Sequence, residues 1–161
     1  MKQINLIGEV NEAMVEKLYE AIDAAGNKDV TIELTSGGGN SMDALAIYSR
    51  LRNYPGTVTI VARGLVGSAA VLILMAGDIR LMCEHAWLFM HEEEAELSGS
   101  VSSLRHSVEQ TEKEENQFNK ILAMRTKVDL FWFENFAEDN AYLTSKQALE
   151  HKLITQILKE H

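Results

Sequence analysis

The sequence predicts an α/β fold with a largely parallel sheet. Alternating segments rich in β-branched residues recur along the chain, stretches with apolar residues at helical spacing stand between them, and Gly, Asn or Pro marks most of the boundaries. A chain of 161 residues can build one hydrophobic core and is short for two, so a single domain over 1–161 is expected.

In chain order, "QINLIG" alternates and stops at Gly8, which reads as a strand. "NEAMVEKLYEAIDAAG" follows as a helix, with Asn11 as its cap and Met14, Leu18, Ala21 and Ile22 on one face. "DVTIELT" is the next strand and runs into "SGGGN"; "SMDALAIYSRLRNY" is then a helix with Ala44, Ile47, Tyr48 and Leu51 on one face, ending before Pro55. "GTVTIVA" is a third strand, "RGLVG" a loop, and Ser68 opens an apolar helix. "DIRLMC" and "AWLFMH" are two short strands, the second ending at His91. Val101 to Lys127 reads as one long charged helix carrying Leu104, Val108, Phe118, Ile121 and Leu122. "LFWFENFAE" is a short aromatic helix, "LTSKQALEHKL" a helix capped at Thr144 or Ser145, and "LITQIL" a last strand.

Composition excludes several function classes. A net charge of −9 leaves no clustered Lys and Arg to neutralise phosphates, so neither nucleic acid nor an anionic membrane surface is an expected partner. The longest apolar run, Leu65 to Ala76, falls short of the roughly 20 residues that span a bilayer. Glu9 and Glu12 come too early for a secretory signal, so a cytoplasmic protein is expected. The lone Cys83 cannot form an intrachain disulfide and has no neighbours at metal-ligand spacing; it reads as a small buried side chain, and no metal site is expected.

The residues that could carry chemistry are few. Ser68 in "GLVGSAAVLILMAG" is either an N-cap or a nucleophile presented at a helix start, where unpaired N–H groups and the positive dipole end lie. The Ser36–Asn40 stretch sits between a strand and a helix, so its bare backbone could approach a ligand, or it is simply a turn; its spacing does not fit a dinucleotide loop. His91 closes an apolar strand and is either a surface histidine or a base.

Taken in series, "LTSGGGNSMDALAIYSRLR", "GLVGSAAVLILMAG", "WLFMHEE" and "EDNAYLTSKQALEHKLI" resemble the Clp protease proteolytic subunit family, ClpP, over nearly the whole chain. The resemblance implies the ClpP/crotonase fold of repeated ββα units, with a head of about 1–91 and 129–161 and a protruding handle helix in about 92–128. It implies a serine endopeptidase that needs no cofactor: Ser68 is the nucleophile, His91 the base, Asn140 stands at the position of the third triad member, Gly39 and the Ala69 N–H form the oxyanion hole, and Gly38 shapes the substrate strand. The implied partners are further copies of the chain in heptameric rings, which in the family stack into a tetradecamer, a peptide or unfolded protein as substrate, and a Clp ATPase or a ClpP paralogue.

The chain departs from the family pattern in ways that carry their own expectations. The triad aspartate becomes Asn140, whose amide oxygen can orient the imidazole without the charge that stabilises imidazolium, so Asp139 or Glu138 is the alternative orienter. Ser-Pro-Gly-Gly becomes Ser36-Gly37-Gly38-Gly39, expected to loosen the oxyanion loop. The proline that usually follows the histidine is replaced in "HEEEAE". "INLIGEV" aligns with the first core strand only a few residues after Met1, so the axial pore loops, and gating by the ATPase with them, are expected to be weakened or missing. Residues 92–115 hold eight acids against Arg105 and Lys113, six of the nine net negative charges, which is expected to weaken ring stacking at high pH and low salt. Two rival readings are a weak or inactive structural or regulatory subunit, favoured by Asn140, and a crotonase-type acyl-CoA enzyme, disfavoured by the short chain and the lack of a basic CoA site.

Overall fold

A computed structural model describes residues 2–91, 98–138 and 141–159. Strands β1 (Lys2–Ile7), β2 (Val30–Ser36), β3 (Val58–Gly67), β4 (Ile79–Cys83) and β7 (Gln156–Leu158) lie side by side in that order, all parallel. β5 (Trp87–Met90) is parallel to the far end of β3, and β6 (Ala141–Thr144) is antiparallel to β5. The α/β class with a largely parallel sheet is therefore as expected.

The first two helices follow their local code. In α1 (Glu12–Ala25) the Asn11 side chain accepts from the Met14 N–H at 3.1 Å, and Met14, Leu18 and Ile22 are buried. In α2 (Ser41–Arg52) Asn40 accepts from both Met42 and Asp43, and the predicted face of Ala44, Ile47, Tyr48 and Leu51 is buried. α6 (Ser145–Glu150) carries a capping box between Thr144 and Gln147, which decides between the two predicted caps. The other candidate, Ser145, instead donates its hydroxyl to the Glu84 carbonyl at 2.8 Å.

Two segments differ from the sequence reading. "RGLVG" is not a loop: β3 continues through it to Gly67, with Gly64 at φ 59 and a register shift against β2, where Leu34 faces Ala62 but Ser36 faces Val66. Arg and Gly read locally as breakers, yet the bulge lets β3 bend away from β4 and pair Leu65–Gly67 with β5. The second difference is β6, which takes the first residues assigned to the "LTSKQALEHKL" helix. Its partner is β5, a long-range pairing that local periodicity does not reveal.

Helix α3 (Ala69–Met75) is apolar throughout and all seven of its residues are buried. Its C-terminal carbonyls would be orphaned in the core. Arginines satisfy them: Arg125 donates to Met75 O at 2.9 Å and Gly77 O at 2.8 Å, Arg52 to Ala76 O at 3.2 Å, and Arg80 to Gly77 O at 3.3 Å. Positive charge also suits the negative end of the helix dipole. Arg80 is buried and its other donors reach the Leu153 and Lys152 carbonyls, tying the C-terminal segment to β4. Burial pushes the Arg80 pKa down, and Arg125 and Arg52 beside it add to that.

α4 (Val101–Thr126) is buried only toward its C-terminal part, at Asn119, Leu122 and Thr126, and packs there against α3 and against α5 (Leu130–Glu138). Val101 and Val108, nearer its start, are exposed. Cys83 is buried, as expected, with Arg63 Nη1 3.1 Å from its sulfur.

Truncating Leu74, fully buried in α3, is expected to cost about 2–5 kcal/mol as Leu74→Ala in urea denaturation. A pH effect follows from the carboxylates. Burial by itself raises the Asp78 pKa, but the Val58 N–H, the Arg52 hydrogen bond and the charges of Arg52 and Arg125 outweigh it, and the pKa lies below the ordinary value. The Arg63 hydrogen bond likewise lowers Glu33. Stability from such groups is present above the ordinary carboxylate range and is lost as pH falls through their lowered values. The urea midpoint should thus drop below about pH 4, and Asp78→Asn should make that drop shallower.

Candidate active site

The bend in β3 delivers Gly67 and Ser68 to the end of β5, where the Ser68 N–H donates to the Phe89 carbonyl at 2.8 Å. Ser68 itself has φ 50 and ψ −130, a region that a side chain seldom occupies and that stores strain. Its hydroxyl makes no capping hydrogen bond, so the N-cap reading is overturned; α3 begins at Ala69 without a side-chain cap.

The glycine loop lies directly against this elbow. A Cβ on Gly38 would stand 2.6 Å from Ser68 Cβ and 3.2 Å from its Oγ, and Gly38 has φ 113, so the close approach requires glycine. The loop is tied rather than loose: the Val10 N–H donates to Gly38 O at 2.9 Å, the Asn40 N–H donates to Val10 O at 2.9 Å, and the Gly38 N–H donates to Ser36 Oγ at 3.1 Å. The missing proline is thus offset by hydrogen bonds to the residue that precedes the α1 cap. Among the described residues the N–H groups of Gly39 and Ala69 have no hydrogen-bond partner.

Ser68, Ala69, Gly39 and His91 line one cleft of about 170 Å³. His91 stacks on Phe89, with ring centroids 5.2 Å apart, and Phe89 stacks in turn on Tyr142 of β6 at 4.4 Å. The antiparallel β5–β6 pair thereby supports the imidazole from one side. Among the described residues no hydrogen bond joins the Ser68 hydroxyl to His91. Gly38 abuts Ser68 from behind the cleft. Asn140, like Asp139 and the glutamates that follow His91, lies outside the described residues.

Sequence reasoning missed the opposite wall. Glu114, Glu115, Phe118 and Asn119 of α4 face the same cleft. Positions i, i+1, i+4 and i+5 share one side of a helix, and Asn119 interrupts the apolar row of Phe118, Ile121 and Leu122. That interruption was the available signal.

The family described as Clp protease matches the chain over residues 1–161. The ATP-dependent Clp protease proteolytic subunit 2 of Treponema denticola is 26% identical over 164 residues, covering 98% of this chain and 82% of that protein. The proteolytic subunit 3 of Rhodococcus jostii is 26% identical over 166 residues, covering 98% of this chain and 81% of that protein. No helix among the described residues is long and apolar enough to cross a membrane.

The contact between loop and elbow can be tested with Gly38→Ala. The added Cβ strikes Ser68 Cβ at 2.6 Å, so reactivity of Ser68 toward a fluorophosphonate probe should fall at least about tenfold, and the variant should lose about 1–3 kcal/mol in a melt from backbone strain.

Proposed function

The chain belongs to the Clp protease family, and from that membership we propose that it is a serine endopeptidase in which Ser68, His91 and Asn140 hydrolyse peptide bonds inside a self-assembled ring. The observation that carries the reading is the convergence of a strained serine, an imidazole and two unpartnered backbone N–H groups on one cleft. Ser68 Oγ attacks the carbonyl carbon of the scissile bond while His91 takes its proton. The carbonyl oxygen becomes an oxyanion, held by the N–H groups of Gly39 and Ala69, which need no reorganisation to meet it. His91 then protonates the leaving amine, and water, activated by the same imidazole, releases the acyl group from Ser68.

Asn140 has the orienting role: its amide oxygen accepts from the His91 Nδ1–H and fixes the tautomer, without the negative charge that an aspartate adds. Assembly is part of the proposal. Heptameric rings stacked as a tetradecamer would confine the substrate, and a Clp ATPase or a ClpP paralogue is the proposed partner, in line with the words "ATP-dependent" and "proteolytic subunit" in the names of the relatives. The exposed Val101 and Val108 of α4 have no cover within one chain and suit contacts between rings.

A fluorophosphonate probe should label the assembled wild type and leave Ser68→Ala unlabelled; absence of labelling in every assembled state would instead indicate a structural subunit. Asn140→Asp should raise peptidase kcat, with an upper bound near the roughly four orders of magnitude that the reverse change costs a serine protease with an aspartate. An unchanged kcat would assign the orienting role to another acid. Light scattering should give a mass several times that of one 18.0 kDa chain, falling at high pH and low salt as like charges on α4 repel.

A further inference from the structure

We propose that the cleft selects a peptide carrying a cationic side chain, Lys or Arg, on the acyl side of the scissile bond, and that Glu114 and Glu115 hold that charge. The inference rests on the peptidase reading above and adds a substrate class to it. Both glutamates line the cleft that contains Ser68 and His91, both are half-buried, and among the described residues no Lys or Arg lines that cleft. Gln110 Nε2 donates to Glu114 Oε1 at 2.8 Å. An ionised carboxylate offers about four acceptor sites, so one such bond leaves capacity for an incoming ammonium or guanidinium.

A second observation points independently to a ligand. Asn119, one helical turn further on, is only 4% exposed, lines the same cleft, and makes no side-chain hydrogen bond among the described residues. Among the described residues no side-chain nitrogen or oxygen is both fully enclosed and unpaired, so the amide is not sealed off, and Asn119 is one of the residues that line the cleft. A buried amide left open in this way is a group awaiting a partner.

The same cleft is also lined by the apolar Ala69, Met90 and Phe118. A long cationic side chain matches that combination, with methylenes to cover apolar residues such as Met90 and Phe118 and a charged head for the carboxylates. A leucine would cover the same apolar residues but strip water from the carboxylates without replacing it. A glutamate would meet like charge.

The test uses the assembled protein and fluorogenic peptides identical except for Lys, Leu or Glu at the residue before the cleaved bond. The Lys peptide should exceed the Leu peptide in kcat/KM by about tenfold or more, with the Glu peptide slowest. In a Glu114→Gln, Glu115→Gln double variant that melts like wild type, the ratio of Lys to Leu should collapse toward one. Equal or better cleavage of the Leu peptide by wild type, or an unmoved ratio in the double variant, overturns the proposal. Binding of the corresponding product peptides to Ser68→Ala, followed by fluorescence anisotropy, keeps the two readings apart. If nothing is cleaved, the peptidase reading fails, while binding still decides the selectivity: tighter binding of the Lys-ended peptide supports it, and equal binding overturns it.

Discussion

Everything around the cleft depends on burying one short helix whole. α3 is apolar on every side, so it cannot sit at a surface, and a buried helix must have partners for its last carbonyls. Arg52, Arg80 and Arg125, from α2, β4 and α4, supply them. Taking three guanidinium groups partly out of water is costly, and the cost is offset because each donates to carbonyls that would otherwise be unpaired, at the helix end that favours positive charge. The same arginines bind α2, β4, α4 and the C-terminal segment to one point. At the other end of α3 the first N–H, that of Ala69, has no hydrogen-bond partner among the described residues, and Ala69 lines the cleft.

The second constraint is the bulge in β3. A straight strand would carry Ser68 along β4; the extra residues around Gly64 swing it to β5 instead. This puts Ser68 beside the strand that ends in His91, and the Ser68 N–H bond to Phe89 O fixes the distance between their backbones. Glycine at position 38 then lets a third segment close over the elbow. Ser68, His91 and the glycine loop thus come from elements held by backbone pairing, the arrangement that gives a site its geometry before a ligand binds.

Membership of the Clp protease family accounts for this frame. Against the family pattern that the sequence resembles, Asn140 stands where an aspartate is expected and Gly37 where a proline is expected, while Glu114 and Glu115 line the cleft. The glycine loop shows how such a change is absorbed. Rigidity lost from the covalent chain is restored by its ladder to Val10, so the loop remains held at Gly39.

The sequence by itself determined the α/β class, the order of most elements and the buried faces of α1 and α2, because those follow from the spacing of apolar residues a few positions apart. It also singled out Ser68, His91 and the glycine run, through motifs whose order is local and linear. It did not determine that Arg63–Gly67 is strand, that β6 exists, that arginines close α3, or that Glu114 and Asn119 face Ser68. Each of these depends on contact between residues far apart in the chain: β6 pairs with β5 across more than fifty residues, and Arg125 reaches Gly77 over 48. Ser68 shows the division most plainly. Its local sequence fits a cap as well as a nucleophile, and only the folded chain, with β3 paired to β5 and Ser68 at φ 50, leaves its hydroxyl without a capping hydrogen bond.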